Sequence, residues 1–205
     1  MNLSLILLLG ITCATFNPEG TPSDYKFLKK EKQVSLSSRE IKLNNGRTTR
    51  ELRAELVINV RPERIKEVLK NEQLSRQWMK GVECFSLLGK GTDNNWKAYI
   101  RYNIPWPLSN QDCIISYNCS STNEGKALTI KMIGLPDYLP KKDGVERISH
   151  VSGCWTIIQA ANSCRVIYTV YSEQKPRFPR WATDPIVQQN LINSLSSLKE
   201  LVERE

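Results

Sequence analysis

Two prolines flank a tryptophan at Pro105, Trp106 and Pro107, and they fall where a strand pattern stops and at once resumes. Upstream, Trp96, Ala98, Ile100, Tyr102 and Ile104 share one face of an alternating run. Downstream, Cys113, Ile115, Tyr117 and Cys119 do the same. Proline has no ladder N–H and a fixed φ, so neither Pro105 nor Pro107 fits inside a central strand. The polar run Ser109, Asn110, Gln111 and Asp112 supplies the turn, and Asp112 is expected to pin it through a side-chain turn bond or a salt bridge.

The alternation extends in both directions. Leu52, Ala54, Leu56, Ile58 and Val60 alternate with Arg53, Glu55, Val57, Asn59 and Arg61, which predicts a strand with one buried and one solvated face in an antiparallel sheet. An earlier strand over 35–43 is joined to it by the turn signal Asn44-Asn45-Gly46. Leu128, Ile130 and Met132 mark a further strand, and two more are expected over 147–159 and 164–172. Between them, residues 134–144 carry two prolines and two glycines and read as a loop.

Helical signals occupy two places. Pro62 suits the first position of a helix over 63–71, and a short second helix over 72–80 ends at Gly81, with Leu74 and Trp78 four apart on one face. At the C-terminus, Val187, Leu191, Leu195, Leu198 and Val202 recur at helical spacing, with Pro179 or Asp184-Pro185 as the start. The order is strands, two helices, about five strands and one long helix. This is an α+β chain in which a long antiparallel sheet must bury its apolar face against the terminal helix. A strongly curved sheet closed by one helix leaves space for a ligand cavity.

The chain has 205 residues, enough for one domain with a leader, and 40% of them are hydrophobic. Met1 to Ala14 reads as a cleaved secretory signal: Leu3 to Ile11 is apolar but too short to span a bilayer, and small residues precede a cut after Ala14. Export to a secreted or periplasmic location follows, with anchoring through the N-terminus as the alternative. Residues 15–33 read as a linker with a short helix, docked through Tyr25, Phe27 and Leu28, and 34–205 as the folded domain. Cys84, Cys113, Cys119, Cys154 and Cys164 have no zinc spacing and mostly sit in strand-like runs, as small buried hydrophobes do.

This order, and the residues that punctuate it, resemble the START (steroidogenic-acute-regulatory-related lipid-transfer) domains, of bacterial type. Four places carry the resemblance: Pro-Trp-Pro-Leu-Ser and the aspartate at Pro105 to Asp112; Pro140 with Gly144, Val145 and Arg147; Gly153-Cys154-Trp155; and Phe178-Pro179 with Trp181, Asp184 and Pro185 before the leucine-spaced helix. The resemblance implies a helix-grip fold, a curved antiparallel sheet wrapped on the C-terminal helix around an internal hydrophobic cavity. It implies non-covalent binding, and transfer, of a lipid or other hydrophobic small molecule, without catalysis or cofactor. Sterol-type members hold an acid–base pair inside the tunnel, and the matching positions here are Ala98 and Tyr117. Related helix-grip proteins include polyketide cyclases, so a cyclase or aromatase using His150 and Tyr117 is the alternative.

The expected ligand wall follows from the inward faces: Ala98, Ile100, Tyr102, Ile115, Tyr117, Ile130, Met132 and Tyr168 from strands, Leu191 and Leu195 from the helix, and His150. His150, the only histidine, reads either as a polar hook for the ligand or as a hydrogen-bonded core residue. The 134–144 loop and the terminal helix are the expected gate. No metal site, nucleophile elbow or phosphate-cradling loop is visible. The net charge of +8 suits either a plain basic surface or attraction to polyanions. Lys141, Lys142, Arg147, Lys175, Arg177 and Arg180 are the candidates for a basic rim that touches a membrane surface transiently. A nucleic-acid partner is not expected, because stacking aromatics and a recognition helix are missing. A monomer is the default.

Overall fold

The computed structural model describes residues 24–43, 45–104, 109–122, 126–173 and 179–204. The proposed leader, the corner residues Pro105 to Leu108, and Lys175, Arg177 and Phe178 lie outside the described residues. Ten strands and three helices follow in the order β1 (Lys26–Glu31), β2 (Val34–Lys42), β3 (Thr48–Ile58), α1 (Pro62–Leu69), α2 (Glu72–Trp78), β4 (Val82–Leu87), β5 (Asn95–Tyr102), β6 (Asn110–Thr122), β7 (Ala127–Gly134), β8 (Val145–Arg147), β9 (Val151–Ala160), β10 (Ser163–Ser172) and α3 (Arg180–Glu203). They form one sheet in the order β1-β2-β3-β10-β9-β7-β6-β5-β4, with β8 alongside β6. The pairs along that path are antiparallel, and the β6–β8 pair is parallel.

The α+β arrangement is the one the alternation required, and the inward faces are the expected ones. On β5 and β6, Trp96 lies opposite Tyr117, Ala98 opposite Ile115 and Ile100 opposite Cys113. The buried core joins these positions to Leu36 of β2, Ala54, Leu56 and Ile58 of β3, and Ile192, Leu195, Leu198 and Val202 of α3. Two inner-face glycines let neighbouring strands approach closely. A Cβ on Gly153 would stand 2.6 Å from the Thr169 carbonyl, and one on Gly134 would stand 2.8 Å from the Val151 amide. The helix termini follow the local rules: Pro62 opens α1, and Asn71 Oδ1 caps α2 by accepting from the amides of Gln73 (2.9 Å) and Leu74 (3.0 Å). Pro179 is the N-cap of α3, and Pro185 sits inside the helix, where its ring removes one backbone donor.

Three local expectations are corrected. Residues 26–31 are an edge strand, β1, and not part of a linker or short helix. The turn that joins β1 to β2 uses Lys32 (φ 49°) and Gln33 (φ 65°), so it has the backbone of a tight hairpin without the Asn or Gly that usually announces one. Tyr25 and Leu28 dock this segment as expected, whereas Phe27 is exposed. The sequence reading also passed over β4, which pairs with β5 through a bulge at Glu83. Finally, Asn110, Gln111 and Asp112 already belong to β6 and not to the turn; Asn110 Oδ1 reaches back to accept from the Ile104 amide (3.0 Å).

Asp112 forms a salt bridge, one of the two devices expected of it. Asp112 and Arg147 form a two-pronged pair at 2.6 Å (Nε) and 3.1 Å (Nη2), with side chains 1% and 2% exposed. Arg147 also donates to the carbonyls of Pro136 (2.6 Å), Leu139 (3.0 Å) and Pro140 (3.2 Å), so all five guanidinium N–H groups have acceptors. The hydrogen bond to Asp112 holds the guanidinium pKa above its ordinary value. Arg147 is therefore not part of a basic rim; it ties β8, β6 and the 134–144 loop together. Removing one member of a buried pair strands the other charge, at a cost of about 3–5 kcal/mol. Asp112→Ala is expected to lower stability by that amount, read as a shift of the urea midpoint at unchanged slope. A loss below about 1 kcal/mol, the range of an exposed pair, would contradict the central role given to it.

Candidate functional site

A cavity of about 550 Å³ lies between the concave face of the sheet and the N-terminal half of α3. That size suits a small hydrophobic ligand. Its walls come from β3, β5, β6, β7 and β10 and from the Met79-Lys80-Gly81 connection after α2. Its outer rim is built from Arg180, Thr183, Asp184, Ile186 and Val187 of α3. The C-terminal half of α3 leaves no such space, because Ile192, Leu195, Leu198 and Val202 are fully buried against the body.

Of the anticipated ligand wall, Ile100, Tyr102, Ile115, Tyr117, Met132 and Tyr168 line the cavity. Ala98, Ile130 and Leu195 do not; each is fully buried in the solid part of the core. Leu191 packs against that core and is also not part of the lining. His150 is the clearest correction. It is exposed and sits at φ 54°, in the left-handed region, just before β9 begins. That turn of the backbone breaks the alternation that would have carried the side chain to the inner face. It is neither a hook in the cavity nor a core histidine.

Lining residues absent from the sequence reading include Leu52, Cys113, Ile148 and Val170. Leu52 and Val170 lie on the inward phase of strands already recognised, and Cys113 is the inward neighbour of Ile115. Alternation alone could have found them. Met79, Lys80 and Gly81 had no signal, because a connection after a helix becomes a wall only when the helix docks.

The lining is mostly apolar; Tyr102, Cys113, Tyr117 and Tyr168 bring three phenols and a thiol to it, and Thr49, Asn103, Gln111, Tyr171 and Ser172 are further polar members. Tyr117 stacks on Trp96 (ring centroids 5.1 Å apart, planes 5° apart), and Tyr168 lies against Trp155 at 4.2 Å, which in turn meets Trp78 edge-on at 6.1 Å. Burial pushes the pKa of Tyr102, Tyr117 and Tyr168 upward, and that of the Cys113 thiol up to about 12. All four are therefore neutral at ordinary pH. The charged lining residues, Arg50, Lys80, Glu146, Arg180 and Asp184, are all more exposed than Tyr117. Arg50 of β3 forms an ion pair with Asp184 of α3 across the rim.

The 134–144 loop does not line the cavity, which corrects its assignment as a gate. It covers the opposite face of the sheet. The Leu135 amide bonds the Ile114 carbonyl (2.8 Å), Lys142 lies 4.4 Å over the ring of Tyr99, and Lys97 lies 5.3 Å over the ring of Tyr138. Tyr99 and Ile114 have the outward phase of β5 and β6, and they are buried there by the loop.

No protein-family model matches the chain. An uncharacterized protein of Pseudomonas aeruginosa is 24% identical over 131 residues, which is 63% of this chain and 64% of that protein, so the chain spans less than two thirds of that relative. Solved structures agree over more of the chain. The crystal structure of a STAR-related lipid transfer protein fragment from Xanthomonas axonopodis is 26% identical and superposes with a TM-score of 0.78 over 89% of this chain and 99% of that one. Human StAR-related lipid transfer protein 5 gives a TM-score of 0.75 at 14% identity, over 90% of this chain and 89% of that one. An aromatase/cyclase of a Streptomyces species shares the fold less fully, with a TM-score of 0.51 and 12% identity over 76% of this chain and 94% of that one. Its backbone agrees with these lipid-transfer domains over nearly nine tenths of its length, so the chain has the helix-grip fold of START-type structures.

Proposed function

We propose that this protein binds a lipid or other hydrophobic small molecule non-covalently in the cavity under α3 and passes it to or from a membrane surface. The observation that carries the reading is the cavity itself, about 550 Å³ in volume, walled by apolar side chains and roofed by one helix. Ligand burial there contributes roughly 25 cal/mol per Å² of apolar surface removed from water. The resemblance in fold to lipid-transfer domains supports the same reading.

Chemistry of the cyclase type is the second reading, supported by the fold shared with the Streptomyces aromatase/cyclase. The pair expected for it is not assembled here, because Tyr117 lines the cavity and His150 is exposed outside it. The carrier reading is therefore preferred.

Access is assigned to the N-terminal half of α3. Trp181, Ile186 and Val187 are 80%, 56% and 52% exposed around the mouth, with Arg180 beside them. Apolar side chains beside a cation suit the boundary of an anionic bilayer, where each basic residue contributes about 1 kcal/mol. Of the anticipated basic set, Arg180 is the member placed at the mouth, whereas Lys141 and Lys142 belong to the loop on the opposite face. Among the described residues no helix is long and apolar enough to cross a membrane.

Three outcomes are expected. Native mass spectrometry of the purified protein detects a co-purifying hydrophobic molecule of unchanged mass after incubation, and Met132→Trp, which fills the cavity, abolishes it while the circular dichroism spectrum is retained. A wild-type protein that takes up no hydrophobic probe at all refutes the carrier reading. Asp184→Asn, which breaks the rim ion pair, leaves stability within about 1 kcal/mol and speeds ligand release by up to about fivefold in stopped-flow fluorescence. Trp181→Ser weakens co-sedimentation with phosphatidylglycerol vesicles, and equal binding by variant and wild type would remove the mouth from the membrane contact.

A further inference from the structure

The inner wall of the cavity has a composition that selects among hydrophobic ligands. Tyr102, Cys113 and Tyr117 come from the consecutive strands β5 and β6 and Tyr168 from the distant β10, and all line one space. Cys113 and Tyr117 lie four apart on one face of β6, and Tyr102 and Tyr168 reach the same space from β5 and β10. Two of the phenols are held rigidly, Tyr117 by its stack on Trp96 and Tyr168 by its contact with Trp155. Held in this way, they form a preorganised polar spot whose ordering needs little further loss of freedom when a ligand arrives.

We infer that the Tyr102–Cys113–Tyr117–Tyr168 cluster is the orienting subsite of the cavity, and that it takes the hydroxyl or carbonyl oxygen of an uncharged, compact or single-chain lipid. This rests on the carrier reading above. Two physical points fix the ligand class. First, a phenol both donates and accepts, so the cluster matches an alcohol or a carbonyl equally well. Second, no cation belongs to the cluster, and the charged lining residues stand at the more exposed mouth, with Arg50 already paired to Asp184. A carboxylate or phosphate driven to the inner wall would lose its hydration with no counter-charge to replace it, which a buried ion does not tolerate. Size points the same way. At roughly 30 Å³ per water-sized group, about 550 Å³ holds on the order of 18 such groups, enough for one chain or a small ring system and too little for two long acyl chains with a headgroup.

The test uses the full chain, stripped of ligand, with the hydrocarbon diphenylhexatriene as reporter and two chain-matched competitors, tetradecan-1-ol and tetradecanoate, at mildly alkaline pH. The variant is Tyr102→Phe/Tyr117→Phe/Tyr168→Phe, which keeps the rings and their packing and removes only the hydroxyls. Wild type is expected to bind the alcohol about tenfold or more tighter than the carboxylate, and the variant to lose about tenfold for the alcohol while keeping its affinity for diphenylhexatriene, which has no oxygen to bond. Equal affinity for alcohol and carboxylate in wild type, or an unchanged alcohol affinity in the variant, overturns the inference and leaves the carrier reading standing. Failure of wild type to bind diphenylhexatriene and the alcohol alike overturns both. Should the triple variant fold poorly, Tyr117→Phe alone provides the same comparison, with a proportionately smaller loss of alcohol affinity expected.

Discussion

The long helix α3 covers the concave face of a ten-stranded sheet together with α1 and α2, and it does so unequally along its length. At 24 residues α3 is about 36 Å long. Its C-terminal half carries Ile192, Leu195, Leu198 and Val202 at helical spacing, and these fill the space beneath them. From its N-terminal half Thr183, Asp184, Gln188 and Asn190 line the cavity beside Ile186 and Val187, and none of the six is buried. The cavity is the volume left by that change of composition partway along one helix. Pro185, which removes a backbone bond near the change, leaves the covering turn less firmly tied to the rest of the helix than a regular residue would.

The opposite face of the sheet answers a different constraint. At the start of β6 the fixed element is a buried charge pair. Asp112 and Arg147 are buried as a pair, and Arg147 spends its remaining donors on three loop carbonyls. One side chain thereby orders β8, the 134–144 loop and the start of β6. With this loop on the outer face, the Asp112–Arg147 pair and the cavity-lining phenols occupy separate sides of the same sheet. Asp112 points outward from β6 and Cys113, the next residue, points inward.

The reading of function depends on that separation. Inside, the phenols and the thiol are weak acids kept neutral by burial, so they offer hydrogen bonds and shape, and not charge, to the cavity. At the mouth, charge and exposed apolar surface occur together, as a surface that meets an interface requires. The positions corresponding to the acid–base pair of sterol-type domains, Ala98 and Tyr117, take different parts here: Ala98 is solid core and Tyr117 is a wall residue.

The strand phases, the helix boundaries and the α+β arrangement were legible in the residues, because alternation at period two and apolar spacing near four are local properties that hold wherever the face is buried. Six of the eleven anticipated wall residues follow from phase alone. What phase could not supply was depth. Ala98 and Ile100 share a face of β5, yet only Ile100 borders the cavity, since the boundary between filled and empty core is drawn by α3 packing from across the sheet. His150 escaped for another reason: a positive φ before β9 reset the alternation, and no glycine or asparagine marked the place. Likewise, the sequence contains Arg147 and Lys142 within one basic stretch, and only the fold assigns the first to a buried ion pair and the second to the surface over Tyr99. The chain thus determined by itself which faces are apolar and in what order they come. Which apolar face is solid, which is hollow, and which charges are buried were decided by tertiary packing, because each depends on partners tens of residues away.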